Sequence, residues 1–119
     1  MKYQTVYTYE DFPSAWMRVL FRLHLADKRQ ETIVPGWPGW IPIHEVQGPG
    51  IGGSAGDVRL RDLRNKFRVP ILGPERVQHR GNDMFLYRLG CDLDDADFTA
   101  VLEEGADWRY QGKGQLELL

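Results

Sequence analysis

Arginine dominates the residues of this chain that could do chemistry. Arg59, Arg61, Arg64, Asn65, Lys66 and Arg68 fall in one run, and Arg76, His79 and Arg80 follow closely. A guanidinium presents a fixed fork of donors that fits the two acceptors of a guanine edge or the oxygens of a phosphate. An asparagine amide fits an adenine edge in the same way. This chemistry is recognition of a polyanion, not bond making. No nucleophile stands at a recognisable spacing from a base, so the chain is not expected to be an enzyme. His24, His44, His79 and Cys91 have no metal-ligand spacing, and His24 reads as a residue on a helix flank. Asp92, Asp94 and Glu103 match positions 1, 3 and 12 of a calcium loop. Ala96 and Asp97 then stand where a ligand and the turn glycine are needed, so a helix start is the better reading. Neither a metal nor a cofactor is expected.

The net charge of −2 speaks against a polyanion partner until its distribution is read. Residues 1–56 carry five basic and five acidic groups, residues 57–89 carry eight and four, and residues 90–119 carry two and eight. A segment of net +4 thus stands next to one of net −6, an asymmetry that the total hides. A length of 119 residues suits one domain able to bury a core without staples. The single cysteine excludes a disulfide framework and fits a reducing compartment. No signal peptide or apolar run of membrane length is visible, so no membrane partner is expected and a cytoplasmic location is.

Certain elements must position the arginines. Tyr3, Thr5, Tyr7 and Tyr9 alternate with other residues, which reads as a strand or extended arm over 1–13. Trp16, Val19, Leu20 and Leu23 repeat at helical spacing within a segment from Phe12 to about Arg29. Gln30 to Gly39 is a linker closed by prolines and glycines. Ile41 to Gln47 is either a strand or a strand residue or two followed by a helical turn starting near Pro42. A glycine-rich turn follows over Gly48–Gly53. The basic helix, about 54–68, has Ser54 as N-cap with Asp57 completing a capping box. Leu60, Leu63 and Phe67 form its buried stripe, and Val69-Pro70 ends it. Arg80-Gly81-Asn82-Asp83 turns a hairpin over about 75–89. Acids open a helix from Asp92 through Glu104, and Gly105 stops it. Trp108–Tyr110 and Gln115–Leu118 flank a second hairpin candidate. Gly48-x-Gly50-x-x-Gly53 matches a dinucleotide fingerprint, but no βαβ unit follows and Pro49 lacks an amide proton, so no nucleotide is expected. Trp37 and Trp40, beside prolines, read as a packed lid over the core rather than a ligand platform.

The order helix, short helix, glycine turn, basic helix, hairpin resembles the winged helix-turn-helix family over residues 14–89. The pieces that carry it are Gly39-Trp40-Ile41-Pro42-Ile43-His44-Glu45-Val46, Val58-Arg59-Leu60-Arg61-Asp62-Leu63-Arg64 and Tyr87-Arg88-Leu89. The glycine turn is longer than the three or four residues usual there. The resemblance implies an α+β fold, with an N-terminal strand or arm before the winged helix. An acidic C-terminal helix and hairpin, 90–119, would pack on the same domain. It also implies a duplex-DNA-binding protein, a small transcriptional regulator of prokaryotic or phage type. The recognition helix would put Arg59, Arg61, Arg64, Asn65 and Arg68 in the major groove. The wing would hold Arg76, His79 and Arg80 on the backbone. A homodimer through the C-terminal part would space two such helices by one DNA turn. The alternative is a protein–protein adaptor, such as a phage-encoded inhibitor docking a host complex through its acidic or aromatic surface.

Overall fold

Ser14 closes an extended segment, and the fifteen residues after it contain neither glycine nor proline, so a helix forms there at once. A computed structural model describes residues 3–112. It is mixed α+β. Helix α1 spans Ala15–Arg29 and ends where Gln30 turns left-handed. Strand β1, Ile41–Pro42, runs into a 3-10 turn over Ile43–Glu45. Helix α2 spans Gly56–Asn65, strands β2 and β3 span Ile71–His79 and Asn82–Leu89, and helix α3 spans Asp95–Glu104. The strands form one antiparallel sheet in the order β1-β3-β2.

Helix α1 is the centre of the fold. Ten of its residues are buried, from Trp16 to Ala26. One side meets Phe12 and Phe98 through Phe21, with ring centroids 4.9 and 5.4 Å apart. At its start Trp16 stacks on Phe67 at 3.8 Å and lies nearly parallel to Trp108. Large rings bury much apolar area at little entropic cost, so these two aromatic clusters fasten α3 and the segment after it to α1. Trp108 is 4% exposed and belongs to this core.

Several boundaries differ from those read in the sequence. The first residues keep their alternation, Tyr3, Thr5, Tyr7 and Tyr9 half-buried and their neighbours exposed, yet pair with no strand. The arm is held by side chains instead: Thr5 Oγ1 donates to Asp95, and Tyr7 bonds Thr99. Ser54 does not cap α2. Gly53–Ala55 winds as a 3-10 turn, and the N-cap is Ala55. The cause is a close approach: a Cβ on Gly56 would lie 2.3 Å from the Val46 carbonyl oxygen, so the helix starts where only glycine fits. Helix α2 also ends before Pro70. Arg68 turns left-handed at φ 61°, and the Val69 N–H closes on the Leu63 carbonyl. Strand β2 begins at Ile71, not near Glu75, with a bulge between Leu72 and Glu75. Ile41–Glu45 takes the form of two strand residues followed by a turn. Helix α3 begins at the capping box of Asp94 and Asp97 and stops at Gly105. Trp108–Tyr110 form no strand, and the rest of the second hairpin candidate lies outside the described residues.

His24 is fully buried rather than on a helix flank. Its Nε2 lies 3.0 Å from the Tyr3 hydroxyl, with Phe21 and Phe98 against the ring. Burial, with Lys28 nearby, pushes its pKa down from 6.5 to about 4. Between these values the unfolded chain takes up a proton that the folded chain refuses. Stability is therefore lost as pH falls through that window. His24 should remove about 2 kcal/mol between pH 7 and pH 5. Denaturant titrations at the two pH values test this. His24→Gln should lose that much less over the same interval.

Candidate nucleic-acid interface

Helical spacing divides α2 into two faces. Gly56, Leu60 and Leu63 are buried, and Phe67, just past the helix, continues their stripe into the core. Asp57, Arg61, Arg64 and Asn65 are exposed and recur three or four residues apart along the helix, and Arg68, also exposed, follows just past its end. Arg59 lies between the faces, half-buried, with Asp62 at 3.5 Å and a buried Nε that has no partner among the described residues.

The hairpin turns at Arg80 and Gly81, both with positive φ (52° and 80°), the geometry of a two-residue type I′ turn. No residue from Leu72 to Phe85 is buried, so the outer part of the ribbon projects from the body. Two of the sequence-predicted residues hold this ribbon together or flank its turn. Arg76 bonds Asp83 across the strands at 2.5 Å, and Gln78 adds a second donor to the same carboxylate at 2.7 Å. The Arg76 guanidinium so placed holds the Asp83 carboxyl below the usual aspartate range. His79 pairs with Asn82 at the end of the ladder and is half-buried.

The eight predicted residues thus separate by engagement. Arg64 donates to the backbone carbonyls of Ile71 and Gly73. Arg76 is spent on Asp83, and Arg59 leans on Asp62. Arg61, Arg68 and Arg80 are exposed and have no hydrogen bond or ion pair among the described residues, and Asn65 is exposed beside them. Lys66 belongs with this group. Its ammonium lies 5.4 Å from the Phe67 ring centroid and meets no carboxylate. Its place in the basic run was the signal for it.

Several of the acids after Gly90 are occupied elsewhere. Asp92 pairs with Lys28 of α1, and Asp95 accepts from Thr5 and from the Val6 amide. The glycine loop is also committed to the fold: the Gly52 N–H donates to Val46 and the Gly53 N–H to Gly48. Those amides are not turned toward a phosphate. A shallow groove of about 490 Å³ is lined by Tyr9, Glu10, Phe12, Pro13, Arg18 and Gly50. Its one cation, Arg18, already donates to the carbonyls of Phe12 and Ile51. Burial pushes the half-buried Cys91 thiol up to about 12, which leaves it unreactive. Among the described residues no cluster suits a metal ion, and no helix is long and apolar enough to cross a membrane.

No protein-family model matches this chain, and no curated protein and no solved structure matches it.

The Arg76–Asp83 contact predicts a visible titration. Followed by NMR, the Asp83 carboxyl should titrate below the ordinary aspartate range, and Arg76→Ala should return it there. An unchanged Asp83 curve in the variant would show that the pair does not form in solution.

Proposed function

We propose that this chain binds duplex DNA, with the exposed face of α2 in the major groove and the β2–β3 turn on the neighbouring backbone. The observation that carries this reading is the placement of Arg61, Lys66, Arg68 and Arg80, four exposed cations that meet no carboxylate among the described residues, on α2, just past its end and at the projecting turn. Exposed cations without a counter-charge are stabilised by a polyanion. Asp92, Asp94, Asp95 and Asp97 serve α1, the arm and the start of α3 rather than these cations.

The element order supports the same reading. Helix, glycine-rich turn, basic helix and hairpin follow one another in the order of the resemblance to winged helix-turn-helix domains, with the short helix reduced to the three-residue turn Ile43–Glu45. β1 pairs with β3, closing a small sheet. The biological role in keeping with this is that of a small prokaryotic or phage-type regulator. A protein partner is the second reading. Leu72 and Phe85, 46% and 45% exposed on the hairpin, favour it.

Fluorescence polarisation with a random duplex at several salt concentrations tests the proposal. Four neutralised phosphates give a log–log slope of about −3 to −4, at about −0.9 for each. Arg80→Ala should make the slope shallower by about one unit without altering site preference. A measurable affinity that ignores salt would contradict DNA binding and favour the apolar docking surface.

A further inference from the structure

Arg64 sits on the exposed face of α2, yet its guanidinium points into the protein's own backbone. Nε and Nη2 donate to the Ile71 carbonyl at 3.2 and 2.8 Å, and Nη2 also reaches the Gly73 carbonyl at 2.5 Å. Ile71 and Gly73 are two residues apart in β2, an outer strand of the sheet, at the start of its bulge. The arginine therefore ties the end of α2 to the first residues of that strand. Gly73 is fixed by the sheet itself: its φ is +102°, and a Cβ there would lie 2.4 Å from the Leu86 carbonyl oxygen of β3.

We propose that Arg64 is a positioning residue that clamps the hairpin to α2. The helix and the turn then present Arg61, Lys66, Arg68 and Arg80 to a single duplex as one rigid unit. This rests on the DNA-binding reading. The guanidinium is essential to it, because a lysine ends one bond short of the Nη2 position that reaches both carbonyls and lacks the Nε donor to Ile71.

Hydrogen exchange and duplex titration of Arg64→Ala and Arg64→Lys test the clamp. Both variants should exchange the amides of residues 71–79 about tenfold faster, with α1 unchanged. Both should bind a short random duplex about tenfold more weakly with the salt slope kept. Rescue by lysine of both affinity and wild-type exchange would overturn the clamp and make Arg64 a phosphate contact. Equally faster exchange in α1 would overturn it as well, by showing general loosening. If the wild-type protein has no salt-dependent duplex affinity, the DNA reading fails, and the exchange data alone decide the clamp.

Discussion

A guanidinium buried in a core helix must find carboxylates, and the path of the chain around α1 answers that need at Arg22. Arg22 is 8% exposed. Its Nη1 donates to Glu31 at 2.9 Å and its Nη2 to Glu45 at 2.7 Å. Burial works against its charge, and the bonds to Glu31 and Glu45 outweigh it, so its pKa is raised. Removing either partner would leave part of that charge uncompensated, at a cost of about 3–5 kcal/mol in a fully buried site and less here, where both carboxylates are about 30% exposed. Glu31 lies just after α1, and Glu45 ends the turn after β1. Fixing Glu45 fixes Val46 beside it. The Val46 carbonyl receives the Gly52 N–H and sits against Gly56, the first residue of α2. The direction of the basic helix is thus tied, step by step, to a cation in the core.

The same connectivity explains why a chain of net −2 can offer a basic face. Acids are placed where the fold needs acceptors. Asp94 and Asp97 cap α3, Asp95 holds the arm, Asp92 takes Lys28, and Asp27 takes Arg88 at 2.8 Å. Each of these carboxylates is committed to local structure at a helix end or between elements. On α2, just past its end and at the turn, Arg61, Arg68 and Arg80 meet no carboxylate among the described residues, with Asp57 exposed at the start of the helix. Charge asymmetry along the sequence is kept in space because several of the acids have structural duties and several of the arginines have none.

Much of this was legible in the sequence, and what was not has identifiable causes. Trp16, Val19, Leu20 and Leu23 announced α1, and Leu60, Leu63 and Phe67 the buried side of α2, because helical spacing shows one face directly. The hairpin was readable from Arg80-Gly81. Its first residues were not, since Pro74 argues against a strand and a bulge absorbs it. The start of α2 was misread at Ser54 because a good capping residue competes with a steric contact, Gly56 against Val46, that exists only once the chain is folded. His24 was misplaced for the same reason: its surroundings come from Tyr3 and Phe98, distant in sequence. The role of Arg64 left no sequence signal, because its acceptors are backbone carbonyls, which every residue carries.

If the exposed face of α2 and the β2–β3 turn meet a duplex together, adding a short duplex at low salt should shift amide resonances in NMR at residues 57–68 and 78–83, with α3 and the groove near Tyr9 silent. Changes centred on residues 92–107, or none at any duplex concentration, would contradict it.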